Sequence, residues 1–190
     1  MKLSLVIAAL RLRCPTFEGR VSGAAEYELL LENGKMALPS AWIIPTNDTA
    51  GEQRSKTDYW QTITDGFAVV VVVNNSADLR GQKAAFDAVH DLRAELFKAL
   101  LGWQPELCYD PIQYDGGNLL DTNRAHLYFQ YDFSAKIEIS EEDTHQWDDL
   151  QQLEELKQIM VDVDFMTPDG TIEHKLDLSF NQNEQPLNDE

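Results

Sequence analysis

Residues 67–74 read F-A-V-V-V-V-V-N, and the five consecutive valines, Val69 to Val73, break the alternation that leads up to them. Just before the run, Trp60, Thr62 and Thr64 alternate with Gln61, Ile63 and Asp65. A strand with one wet face alternates apolar and polar residues; a strand covered on both faces does not need to. The pattern predicts one long strand over 59–74, two-faced in its first half and buried in its second. Helical spacing appears on both sides of it. Leu3, Val6, Ile7 and Leu10 stand at i, i+3, i+4 and i+7, which predicts a helix over 2–13 that stops before Pro15. Ala24, Tyr27, Leu30 and Leu31 suggest a second helix over 24–32, ended by Asn33-Gly34. The strongest stripe lies over 78–101: Phe86, Val89, Leu92, Leu96 and Leu100, flanked by Ala85, Phe97 and Leu101. Ser76 or Asp78 is its expected N-cap, and Gly102 and Pro105 end it.

The remaining pattern is β-rich. A short apolar strand is expected over 37–45, between prolines. Residues 110–121 predict a hairpin turning on Asp115-Gly116-Gly117. In 124–139, Leu127, Phe129, Tyr131 and Phe133 alternate with His126, Tyr128, Gln130 and Asp132, which predicts an antiparallel strand with one core face. A short helix near 150–158 then precedes a second hairpin, 160–165 with 171–180, turning on Pro168 and Gly170. The order of elements predicts an α+β fold: a mostly antiparallel sheet with two main helices packed on one side. Residues 1–140 form the expected domain. Residues 141–180 are an acidic segment and hairpin packed on it, and 181–190 a disordered tail.

Between the predicted strands lies T-N-D-T-A-G-E-Q-R-S-K-T-D, residues 46–58. It is polar, lacks periodicity and is long for a connection inside a compact domain. Such loops are often functional, and this one is expected to be mobile in the free protein.

Charge alters the picture more than composition does. The 190 residues hold 15 basic and 33 acidic side chains, a net charge of −18, with an ordinary 43% of hydrophobic residues. The excess is uneven. Residues 1–60 carry seven of each sign, whereas 141–190 carry 15 acidic and two basic residues. With no basic stripe, specific duplex binding is excluded. The acidic quarter reads either as a solvated surface or as one meant to stay near DNA without gripping it. No apolar run approaches the roughly 20 residues of a membrane helix, so no membrane partner is expected. The N-terminal stretch briefly resembles a signal peptide, but Arg11 and Arg13 interrupt it, and it is read as a mature amphipathic helix.

Candidate chemistry is sparse. Cys14 and Cys108 are isolated and read as thiols, not as a disulfide framework. The four histidines lack ligand spacing, and no metal or cofactor is expected. Asp162-x-Asp164 falls on an alternating strand and reads as its polar face. His90 beside Asp87 and Asp91 reads as a surface polar cluster. No hydrolase, zincin or phosphate-loop signature occurs, so no enzyme is expected. Of the tryptophans, Trp42 and Trp103 read as core, while Trp147, within D-T-H-Q-W-D-D, is a candidate docking residue.

Several stretches together carry a resemblance. They are M-K-L-S-L-V-I-A-A-L-R-L-R-C-P with G-R-V-S-G-A-A-E-Y, then I-I-P with G-E-Q-R, then D-G-F-A-V-V-V-V-V-N-N, D-A-V-H-D-L-R-A-E-L-F-K-A-L-L-G-W, Y-D-G-G-N-L-L-D and L-Y-F-Q-Y-D-F-S-A-K-I-E-I. In this order they resemble the tail terminator proteins of long-tailed bacteriophages, in particular those of Mu-like phages, over about 1–139. The resemblance implies a structural α+β subunit that forms a ring, usually sixfold, on the head-proximal end of the tail tube. There it stops tube polymerisation and presents a surface to neck or head-completion proteins, while DNA passes through without specific binding. It implies no catalytic residues. It also places the protein in the virion tail, after assembly in the bacterial host cytoplasm. A ring needs one patch to meet a different patch on the next subunit. The loop 46–58 is the candidate arm, and Gln53, Arg54, Lys56, Tyr59, Trp60 and Trp147 are the candidate subunit-interface residues. Part of the acidic excess is expected to line the pore. Two other readings remain: a different neck or tail-completion protein, or an acidic DNA mimic, which the neutral first 60 residues disfavour. The second face of the valine run is left to the late hairpin, the second helix or a neighbouring subunit.

Overall fold

The computed structural model describes residues 1–25, 37–75, 85–154, 156–163 and 174–179. It contains two compact units, 1–144 and 145–190. The first is built on a five-stranded sheet of β1 (Val21–Gly23), β2 (Ser40–Ala50), β3 (Gln61–Asn74), β4 (Gln113–Thr122) and β5 (His126–Ile139). The spatial order is β1-β2-β3-β5-β4. Every pairing is antiparallel except the three-residue β1–β2 pair. Helices α1 (Leu3–Arg13) and α2 (Ala85–Leu100) join one face of this sheet in a common core, which makes the unit α+β.

Helix α1 follows its apolar spacing, with Val6, Ala9 and Leu10 buried. Its end is held from two sides. The Cys14 N–H donates to Leu10 O at 2.9 Å, and the Arg13 guanidinium donates to Ala99 O at 2.8 Å. That second bond satisfies a carbonyl in the last turn of α2, where cations are favoured by the helix dipole. Arg13 also stacks 4.7 Å from the Trp103 ring centroid. Helix α2 buries Ala85, Val89, Leu92, Leu96, Ala99 and Leu100. Phe86 is 64% exposed, contrary to its assignment to the stripe. At about 100° per residue it lies roughly 90° from the stripe's centre. The predicted start of this helix and its caps, Ser76 and Asp78, fall outside the described residues, as does most of the predicted second helix.

Strand β3 lies at the centre. Phe67, Val69, Val71 and Val73 enter the core shared with the helices. The opposite face is buried as well, with Ala68, Val70 and Val72 at 2%, 1% and 0% exposure. The Tyr131 hydroxyl, buried on β5, donates to Val89 O at 2.5 Å and ties the sheet to α2. A buried hydroxyl requires such a partner.

Three boundaries differ from the sequence reading. Strand β2 runs on to Ala50, so Thr46–Ala50 of the expected loop is strand; Asp48, Thr49 and Ala50 pair with Asp65, Thr64 and Ile63. Cross-strand pairing outweighs the polar composition there. Asp115-Gly116-Gly117 is not a turn but lies inside β4, with a bulge between Tyr114 and Gly116. The turn falls at 123–125, where the Asn123 side-chain oxygen accepts from Ala125 N and His126 N at 2.9 and 2.8 Å. That is an Asx-type turn. Gly117 is needed for a different reason: a Cβ there would meet Gln130 O at 2.8 Å. Finally, α3 is His145–Gln151, earlier than predicted, because 158 onward pairs as strand.

The second unit holds α3 and a hairpin of β6 (Gln158–Val163) with β7 (His174–Ser179). Its register pairs Ile159 with Leu178 and Val161 with Leu176 on one face, and Asp162 with Lys175 on the other. The turn of this hairpin, Asp164 and the terminal segment 181–190 lie outside the described residues.

Candidate functional site

The second half of β2 and the first half of β3, which also pairs with the end of β5, form an arm, and residues 51–60 are its tip. Its base is shaped by Pro45 and a bulge between Pro45 and Asp48. Proline has no N–H for a ladder, and a bulge adds residues to one strand only. The inserted Thr46 and Asn47 lie against Gly66, where a Cβ would meet Thr46 Oγ1 at 2.7 Å.

The tip is closed by the side chain of Gln53. Its Oε1 accepts from Arg54 N at 3.1 Å and Trp60 N at 2.9 Å, and its Nε2 donates to Asp58 O at 3.0 Å. Two donors on one side and a carbonyl on the other fix which way the amide points. Arg54 N donates to Trp60 O at 2.9 Å, and Gly51 N to Thr62 O at 2.8 Å. Ser55 Oγ accepts from Thr57 N and Asp58 N at 3.4 and 3.0 Å. The Tyr59 hydroxyl donates to Gln61 Oε1 at 2.6 Å, and Gln61 Nε2 donates to Gly51 O at 2.7 Å. The Arg54 guanidinium lies 5.8 Å from the Trp60 ring centroid. Five of the six candidate residues therefore share one tip. Tyr59 and Trp60 are 37% and 47% exposed, and Gln53, Arg54 and Lys56 are exposed beside them. Trp147 is half-buried on α3 and belongs to the second unit.

Beside the tip, a cleft is lined by Arg54, Thr62, Cys108, Asp110, Lys136 and Glu138. Its charges are mixed, with two bases and two acids, and they do not converge on a reacting position. On the other side of the base, Asp65 accepts from the Tyr109 hydroxyl at 2.5 Å and pairs with the Met1 ammonium. Burial alone would raise the Asp65 pKa, but the hydrogen bonds from the ammonium and Tyr109, with the ammonium's charge, lower it on balance. Lys2 and Glu106 form a 2.6 Å surface pair nearby. His90 is exposed and meets Arg93 at 2.8 Å, not the neighbouring aspartates. Among the described residues, no three His, Cys, Asp or Glu side chains are placed to hold a metal ion, and no helix is long and apolar enough to cross a membrane.

What sequence reasoning missed is β4. Its edge is exposed nearly throughout, and it carries Leu119 and Leu120 at 43% and 41% exposure. The signal in the sequence is Leu-Leu beside Asp121, which composition reads as the return strand of a hairpin.

Among the described residues, the geometry presents a hydrogen-bonded, exposed arm on a sheet and no catalytic constellation. A model of the phage tail terminator protein family matches residues 1–144. No curated protein matches the chain. The family match ends where the first compact unit ends. It carries a structural, tail-terminating role and a place in the virion tail. The chain belongs to the phage tail terminator protein family.

Proposed function

We propose that this protein assembles as a homo-oligomeric ring, a hexamer, on the head-proximal end of the tail tube. The ring stops addition of tube protein and offers its free face to neck or head-completion proteins. The observation that carries this reading is the family match over 1–144. The geometry supports it through the arm. Ring closure needs two different patches per subunit, and an arm ordered by its own hydrogen bonds loses little freedom on docking. Gln53, Arg54, Lys56, Tyr59 and Trp60 form the docking tip; Trp147, on the second unit, makes a separate contact. The role is structural and needs no cofactor. The ring is assembled in the bacterial host cytoplasm and stays in the virion.

DNA passes through the ring without specific binding. Part of the acidic excess faces the lumen, where like charge keeps the phosphates from adhering. A lumen that proves neutral or basic in the assembled ring would refute this point.

The test uses the full chain. Mass photometry gives the oligomer, and negative-stain imaging shows whether it caps purified tail tubes at one end. Addition to a polymerising tube protein should arrest growth. Tubes that lengthen unchecked in its presence would overturn the terminating role. Deleting 53–56 should abolish the oligomer, and an unchanged oligomer would remove the arm from the interface.

A further inference from the structure

An arm that closes a ring needs a receiving surface, and the outer edge of β4 is open among the described residues. The geometry points to the β4 edge of one copy as the surface that receives the arm tip of the next copy. This rests on the ring reading above and names the second half of its interface.

Among the described residues, no strand pairs with the outer edge of β4. An open edge is normally blunted with lysine, proline or bulges. The ten residues of β4, Q-Y-D-G-G-N-L-L-D-T, contain no lysine, arginine or proline. They do contain two register shifts, which leave Asp115 and Leu120 without a cross-strand partner. Bulges discourage indiscriminate ladder extension and re-aim side chains. What remains is an edge suited to side-chain docking by a specific partner. Leu119 and Leu120, each more than 40% exposed, form its apolar centre, and Asp115 and Asp121 give it negative charge.

The arm tip has the complementary character. Tyr59 and Trp60 are its exposed apolar surface, and Arg54 and Lys56 stand beside them, balanced in charge by the exposed Glu52 and Asp58. Among the described residues neither Arg54 nor Lys56 forms an ion pair. Aromatic and arginine side chains are the residue types that anchor interfaces, and opposite charges set orientation and suppress wrong partners. The two patches also lie at different places on the subunit. The arm tip lies at the strand ends, where β2 turns into the central strand β3, and β4 is an outer edge one strand beyond β5. Two different patches on one subunit make a heterologous contact, which closes into a ring when the rotation between copies closes.

The test is cross-linking in the full-length chain. Thr57→Cys on the arm and Asn118→Cys on β4 leave the proposed contact residues intact; Cys108→Ser removes the exposed native thiol, and Cys14 is buried. A short bis-maleimide should give a ladder of covalent multimers ending at the size of the ring. Replacing Asn118→Cys by Leu12→Cys, on an exposed position of α1, should give none. Separately, Leu119→Asp with Leu120→Asp should raise the concentration at which the ring half-dissociates at least tenfold, with an unchanged circular dichroism spectrum. A ring by mass photometry with no ladder, or an equal ladder from Leu12→Cys, overturns the β4 assignment and leaves the ring reading standing. Monomers alone at tens of micromolar, with no ladder, overturn both.

Discussion

Gln53 offers the most direct test of how the arm works. Its amide makes three hydrogen bonds that close the tip, to Arg54 N, Trp60 N and Asp58 O at 2.9–3.1 Å. Gln53→Ala removes all three. Each such bond contributes a net ~0.5–1.5 kcal/mol, at the low end where water can replace it. The tip is exposed, so the loss is about 1.5 kcal/mol of local order. That is close to tenfold in an equilibrium. Hydrogen exchange at the Trp60 amide should therefore quicken about tenfold, while exchange along Val69–Val73 stays unchanged. At about 2–4 °C per kcal/mol for a chain of this length, melting should fall by no more than about 3–6 °C. If docking uses the ordered tip, the ring's half-dissociation concentration should rise by a similar factor of about ten. Gln53→Glu is a finer probe. It keeps the two acceptor bonds but turns a carboxylate oxygen toward Asp58 O, so its effect should be intermediate. Unchanged exchange at Trp60 would refute the closing role of Gln53. A looser tip with an unweakened ring would refute the claim that its order contributes to assembly.

Three further outcomes follow from the packing. Gly117→Ala should destabilise the fold by about 1–3 kcal/mol, as overpacking does, because its Cβ meets backbone at Gln130 O; Gly66→Ala should cost less, since it meets the exposed side chains of Thr46 and Asn47. Urea midpoints of both variants decide this, and the reverse order would refute it. Burial pushes the Cys14 thiol up to about 12, so a disulfide reagent at neutral pH should modify only the exposed Cys108 in the folded protein and both thiols in urea. For Asp65 the folded pKa is lowered, so its contribution to stability is present above the unfolded pKa and lost as pH falls through the folded one. Asp65→Asn should flatten that acid limb in urea midpoints measured from pH 6 to 2, and an equally steep limb would assign it to other carboxylates.

The elements legible in the sequence are those whose residues all point to one answer. Helix α1 and strand β5 follow periodicities of 3.6 and 2 with clear stops, and the structure places them within two residues of their predicted ends. The misread places depend on contacts remote in sequence. Thr46–Ala50 has the composition of a loop, but β3 supplies its pairing partners. Gly116-Gly117 has the composition of a turn, yet one glycine serves a bulge and the other the close approach of β5. Local composition cannot distinguish a glycine that turns the chain from one that lets another strand come near. The same limit hid the β4 edge. Leu119 and Leu120 are ordinary in a sequence and become informative only when seen exposed on an outermost strand. The arm was visible as an anomaly of length, but the Gln53 clasp was not, since a glutamine in a polar loop carries no signal of what it bonds.

The valine run bears on where the contacts of the proposed ring can lie. A neighbouring subunit was one candidate cover for its second face. Ala68, Val70 and Val72 are already buried in the single chain, as are Phe67, Val69, Val71 and Val73 on the helix side. Apolar area that folding has removed from water is not available to association. The centre of the sheet therefore has nothing to offer a partner. What it does offer is a rigid base: the same strand that holds the valines continues into Gln61–Asp65, which carries the arm. In the proposed ring, contacts between copies draw on groups left exposed away from the sheet centre, among them the tip at 51–60 and the edge at β4. A substitution such as Val70→Thr should then lower the stability of the subunit without altering the affinity between subunits that stay folded. A Val70→Thr protein that melts normally but fails to form the ring would place the second face of the sheet in the interface after all.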